Sequence, residues 1–191
     1  MLILLASLHA IAARRGDGLR PELANLLEHD ANALRTASGE IEMSREQENK
    51  ALVGRWFEGF WGNPWNPQII DQLAAPDMLL QYSLHAPRRG CEDVRKFMLD
   101  FRAAFPDLKF WGAADLIGEG DYVVGRWEGG GTHTGPAFSD FLAGSLPAAS
   151  GRKMRFTGTT VLRIENDRIA EEIGLDDGVA ALTQLGILKA A

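Results

Sequence analysis

The feature that most constrains this chain is a change of hydrophobic period at Asp107. Before it, apolar residues recur at helical spacing. After it, they alternate with polar residues, the signature of half-buried strands. Ser44 opens S-R-E-Q, a capping box with Gln47 as its reciprocal partner. The helix that follows carries Leu52, Val53, Trp56, Phe57 and Phe60 on one side, and Gly62-Asn63-Pro64 stops it. A short helix is expected over 67–73, a strand over 78–82 and a second amphipathic helix over 92–105. Past Asp107 the pattern predicts strands over 109–117, 121–130, 154–165 and 168–175. Gly118–Asp121 and Asn166-Asp167 supply the hairpin turns. A last helix is expected over 177–185, with Gly186 past its end. Helices first, an antiparallel meander next and a closing helix last make an α+β fold. Such a curved antiparallel sheet, with helices packed on its concave face, encloses a cone.

The chain has 191 residues, 46% of them hydrophobic and 24% charged. That is enough for one domain with a full core, here placed at 44–191, and an arm over 1–43. The arm begins with about a dozen apolar residues followed by Arg14 and Arg15. This run is too short to span a bilayer, and its basic residues follow the apolar stretch instead of preceding it as in a signal peptide. It reads first as a helical arm or a mis-called start, with a degenerate signal or a partner-binding helix as alternatives. A net charge of −6 argues against nucleic acid and anionic membranes as partners. The lone Cys91 excludes an intrachain disulfide and fits a reducing, cytoplasmic setting.

Phosphate-binding glycine loops, G-x-S-x-G and H-E-x-x-H are absent, and the four histidines show no metal spacing. No metal site is expected. Polar residues on otherwise apolar strands remain: His133 in G-T-H-T-G, Thr160 at the end of F-T-G-T-T, Glu171-Glu172 within the last strand and Asp176-Asp177 at its end. A carboxylate in a dry pocket has a raised pKa and exchanges protons near neutrality. Plainer roles stand beside this one. Asp176 or Asp177 can cap the last helix, His133 can be a hydrogen-bonded structural residue, and Arg126 can pair with Glu128 on its own strand face. Trp61, Trp65, Tyr82 and His85 lie near the expected cone mouth, where they can line a cavity for a planar ligand or simply pack.

The runs A-F-P-D-L (104–108), I-G-E-G-D-Y-V-V (117–124), G-T-H-T-G (131–135) and R-I-E-N-D-R-I (163–169), with Asp177 and Q-L-G at 184–186, occur here in one order. The series resembles the SnoaL-like polyketide cyclase family of the nuclear transport factor 2-like superfamily, over about residues 45–188. The resemblance implies a cone-shaped α+β barrel with a mostly apolar cavity, often dimeric. It implies aldol-type ring closure on a small-molecule ligand by an aspartate acting as general acid/base, with no cofactor. The ungapped match places that aspartate at Gly174, the helix-entrance aspartate at Asp177 and a family histidine at Glu172. Alternation puts Ala170, Glu172, Gly174 and Asp176 on one face. Glu172 is therefore expected to be the proton shuttle, with Asp176, Asp177 or His133 assisting. Trp61, Trp65, Tyr82, His85, Arg126 and Thr160 are expected to contact substrate. A binding protein without catalysis, or an isomerase or hydrolase on the same cone, are the alternatives. Trp111 and Trp127 are expected on the outer sheet face, where they would make a homodimer interface.

Overall fold

The structure is a computed structural model, and it describes residues 43–189. The reading of the arm over 1–43 lies, but for Met43, outside the described residues. Helix α1 (Arg45–Trp56) starts at Ser44, whose hydroxyl accepts from the Gln47 amide while the Gln47 side chain accepts from the Ser44 amide. The helix does not end at Trp56. It widens into a π-helical turn, Phe57–Trp61. Helix α2 (Ile69–Leu73) leads into β1 (Ala74–Gln81); β2 (Arg88–Arg89) precedes α3 (Cys91–Ala104). Then come β3 (Lys109–Gly112), β4 (Ile117–Glu119), β5 (Tyr122–Thr132), β6 (Phe138–Phe141), β7 (Gly144–Leu146), β8 (Lys153–Glu165), β9 (Arg168–Asp176) and α4 (Gly178–Gln184).

The main sheet runs β2-β1-β9-β8-β5-β3, with β4 also on β5; β6 and β7 form a separate hairpin. The sheet differs from an all-antiparallel one at a single seam, since β1 and β9 pair in parallel, Leu80 beside Glu172. A parallel pair needs a long crossover, and here everything from β2 to β8 provides it. The expected strand over 109–117 is broken at Gly112, and β6–β7 was not expected at all. Asn166 and Asp167 both have positive φ, 50° and 58°, as a two-residue hairpin turn requires.

Side chains on the inner face fall into rows across the strands. Val123, Leu162, Glu172 and Leu80 make one row; Gly125, Thr160 and Gly174 the next; Trp127, Gly158 and Asp176 the third. The middle row is small, and rings lie on it. A Cβ at Gly125 would stand 2.6 Å from the Phe57 ring, and one at Gly174 would stand 2.1 Å from Tyr82 Cε1. In the third row a Cβ at Gly158 would meet Trp127 Cζ2 at 2.2 Å. Between Arg163 and Ile164 the pairing of β9 skips Ala170, a bulge that lets Ile169 and Ala170 both turn inward. From Glu172 to Asp176 the alternation is regular. Leu52, Val53 and Trp56 of α1, with Val94, Met98 and Phe101 of α3, close the concave side over the core.

Trp127 is an inner residue, 6% exposed, which corrects its expected place on the outer face. Its neighbour Arg126 correspondingly points outward, is exposed and does not line the pocket. Both corrections have one cause. The inner face of β5 reads Val123, Gly125, Trp127, Gly129 and Gly131, so glycines conceal the alternation.

Candidate active site

A pocket opens between the sheet and the helices, enclosing about 650 Å³ including its mouth. Its walls are almost all aromatic and aliphatic, among them Phe57, Trp61, Phe97, Phe101, Phe110, Trp127 and Phe156. Polar residues on its wall are Tyr82, His85, Arg88 and Asp176. Trp61, Tyr82 and His85 line it. Trp65 does not; it lies half-buried beneath the Arg102 guanidinium, 5.6 Å from its ring centre.

Glu172 sits behind this wall with no solvent exposure. Its Oε2 accepts from Trp56 Nε1 at 2.7 Å; its Oε1 accepts from Trp61 Nε1 at 2.8 Å and from the Tyr82 hydroxyl at 2.5 Å. The π-helical turn explains how two tryptophans five residues apart reach one carboxylate. In a regular α-helix such residues diverge by about 140°, whereas an i→i+5 turn brings them to one side. The spacing of Trp56 and Trp61 was visible in the sequence; the turn that makes it meaningful was not. Burial pushes the Glu172 carboxyl above its usual range, and the three donors offset part of that rise. Burial, together with the Glu172 charge, pushes the Tyr82 phenol well up.

Thr160, fully buried, bridges Tyr82 and Trp127 at 2.8 Å each. The proton directions are fixed by chemistry. Indole nitrogen only donates, and an ionised carboxylate only accepts. Trp127 thus donates to Thr160, Thr160 to Tyr82, and Tyr82 to Glu172.

Asp176 lies one pleat past Gly174 on the same face. Its Oδ1 accepts from the Ser83 hydroxyl, and burial raises its carboxyl above the ordinary value while Ser83 works the other way. His85 packs among Phe97, Phe101 and Phe141, its Nδ1 3.2 Å from the Asp140 carbonyl oxygen and 3.4 Å from its carboxylate. His85, ahead of Arg88, holds the Asp140 carboxyl down at about 2.

Two expected catalytic residues stand elsewhere. Asp177 caps α4, accepting from the Ala180 amide at 3.1 Å. His133 is completely buried and does not line the pocket. Its Nε2 donates to the Pro136 carbonyl at 2.8 Å, which leaves Nδ1 to accept from Ser150 at 2.9 Å. Arg126 has no part in the pocket, and Glu128 pairs instead with Arg155 at 3.3 Å. Among the described residues no group of three His, Cys, Asp or Glu side chains is placed to hold a metal, and no helix is long and apolar enough to cross a membrane.

An open cone of curved sheet, closed by helices and lined by aromatic rings, defines the nuclear transport factor 2-like, ketosteroid isomerase-like fold class. Within that class the chain belongs to the SnoaL-like polyketide cyclase family, whose sequence profile matches residues 51–185. A structure titled as a SnoaL-like polyketide cyclase from Jannaschia sp. CCS1 superimposes with a TM-score of 0.63 at 22% identity, covering 77% of this chain and 97% of that one. TsrD from Streptomyces laurentii gives 0.60 at 26% identity, covering 77% and 100%. A protein with a ketosteroid isomerase-like fold from Catenulispora acidiphila, in complex with trimethylamine, gives 0.55 at 18% identity, covering 71% and 92%. No curated protein sequence matches the chain significantly.

Proposed function

We propose that this protein is a cyclase-type acid/base catalyst acting on a small, flat, largely apolar carbonyl compound. The reaction is aldol-type ring closure: a proton leaves a carbon next to a carbonyl, and the alkoxide formed by ring closure takes one up. No cofactor is required for such proton traffic. One observation carries the reading. Two carboxylates, Glu172 and Asp176, share the inner face of β9 beside an aromatic pocket, and burial raises both toward the range useful for proton transfer. Asp176 is on the pocket wall and is the base nearest the ligand. Glu172 holds a second proton position behind Tyr82. The rings on the walls match a planar ligand in shape and polarity.

The test is solvent deuterium incorporation into, and ring closure of, a tricyclic aromatic β-keto ester. Glu172→Gln and Asp176→Asn should each lower kcat by about 10²–10⁴-fold with the fold intact. Full activity in both variants would overturn the assignment of these carboxylates, whereas a wild-type chain that binds without turnover would leave the pocket as a binding site. That second reading, ligand binding without turnover, is favoured by the donors already held by both Glu172 oxygens and by glycine at position 174. It predicts ligand affinity with no exchange in the wild-type chain. A cytoplasmic homodimer is part of the same proposal.

A further inference from the structure

Glu172 is sealed off, yet the pocket is not closed to it chemically. Of the three groups hydrogen-bonded to its carboxylate, Trp56 is fully buried away from the pocket, Trp61 is an indole that only donates, and Tyr82 lines the pocket and carries a hydroxyl that both donates and accepts. Position 174 makes this possible. Gly174 has an ordinary extended strand conformation, so its lack of a side chain serves space and not backbone freedom. The Tyr82 ring fills that space, entering from the end of β1.

We propose that Tyr82 is the catalytic residue that meets the ligand oxygen, and that Glu172 acts through it as the far end of a two-step proton relay seated on Gly174. This rests on the proton-transfer reading above. At rest the Tyr82 hydroxyl keeps its proton and donates a hydrogen bond to ionised Glu172, and its oxygen accepts from Thr160, with lone-pair density left for the pocket. When a ligand proton arrives, the ligand O–H bond breaks and a Tyr82 O–H bond forms. The original Tyr82 proton passes to Glu172 Oε1, which becomes neutral. The return step reverses each transfer, so that a ligand alkoxide takes a proton from Tyr82 and Tyr82 takes one from Glu172. No oxidant or other reactant enters. Both states leave the Trp56 and Trp61 N–H groups on an acceptor oxygen. Thr160 is a positioning residue, since it donates to the same phenol oxygen that donates to Glu172.

The probe is alizarin, a flat hydroxyanthraquinone whose colour reports loss of its phenolic proton, titrated on the full chain. The relay predicts that bound alizarin ionises at least about one pH unit below the free dye, a tenfold change in its proton equilibrium. Tyr82→Phe should return it to the free-dye value although the ring stays in place. Glu172→Gln should do the same, and the double variant should go no further than either single one. Gly174→Ala should reproduce Tyr82→Phe by displacing the ring. A shift kept in Tyr82→Phe but lost in Glu172→Gln would overturn the proposal, because Glu172 would then reach the ligand directly. A shift kept in both, or no spectral change on the wild-type chain, would also overturn it. The colour titration needs no turnover. An intact alizarin pattern beside a wild-type chain inert toward the β-keto ester would sink the cyclase reading and leave the relay standing.

Discussion

Trp56 is the sole donor to Glu172 Oε2, at 2.7 Å, and it is fully buried. Trp127 is a near-matched control, 6% exposed, whose indole donates at 2.8 Å to the neutral hydroxyl of Thr160. Replacing either by Phe removes an N–H and part of a ring. The lost apolar packing costs about 1.5–2.5 kcal/mol in each case. The hydrogen bonds differ: about 0.5–1.5 kcal/mol for the neutral one, about 1.5–3 kcal/mol for the charged one. Trp56→Phe should therefore cost about 3–5.5 kcal/mol at pH 8, and Trp127→Phe about 2–4 kcal/mol. The difference should depend on pH. An unfolded glutamate titrates near 4.5, and burial raises the Glu172 carboxyl in the fold. The native state then binds more protons than the unfolded state above pH 4.5, so stability declines as pH rises through that window. Loss of the Trp56 donor raises the carboxyl further and extends the decline to higher pH. Urea unfolding followed by far-UV circular dichroism should show the Trp56→Phe penalty shrinking by about 1–2 kcal/mol from pH 8 to pH 4.5, with the Trp127→Phe penalty nearly constant. Equal, pH-independent penalties would mean that Glu172 carries no charge in the fold.

Ser83→Ala removes the hydroxyl that lowers the Asp176 carboxyl, so the acidic limb of any Asp176-dependent rate should move to higher pH, read from a kcat profile. His133→Ala leaves the Pro136 carbonyl and Ser150 without their partner and should cost about 2–4 kcal/mol in urea unfolding, with ligand affinity unchanged. On the outer face Val161 stands opposite Ile173, and Leu175 beside them is 81% exposed. These residues, in place of the expected Trp111 and Trp127 pair, form the apolar patch for the proposed homodimer. Light scattering at micromolar concentration should give twice the chain mass, and Ile173→Glu should give the monomer mass.

Local chemistry was legible in the sequence wherever it is decided within a few residues. The Ser44–Gln47 box, the Asn166-Asp167 turn and the helix over most of 92–105 rest on caps, left-handed turn residues and a plain 3.6-residue period. Facing was legible only where side chains alternate visibly. On β9 the charged and small residues keep step, and Glu172 falls inside. On β5 the inner face is mostly glycine, so nothing apolar marks it, and Trp127 and Arg126 are easily exchanged. The β6–β7 hairpin is four and three residues long around the Leu142-Ala143 turn, too short for any period to register. It is held by tertiary contacts instead, through the stack of His85 on Phe141 and the Arg88–Asp140 pair.

Position 174 shows why a residue-by-residue comparison misreads such a cone. Read along β9 alone, glycine where the family resemblance places an aspartate means a lost acid. Read across the sheet, the same position is a seat. Its neighbours are Thr160 on one side and the end of β1 on the other, and the parallel β1–β9 seam delivers the Tyr82 ring onto it. The carboxylate is still on the same face, one pleat away at Glu172, where the π-helical turn supplies two indole donors that a straight helix would not bring together. Glycine, phenol, displaced carboxylate and widened helix each look incidental alone. They depend on one another: an aspartate at 174 would expel Tyr82 and remove a donor from Glu172, and a regular α1 would direct one indole elsewhere. A substitution that restores the aspartate should therefore lower activity unless Tyr82 and Glu172 are changed with it.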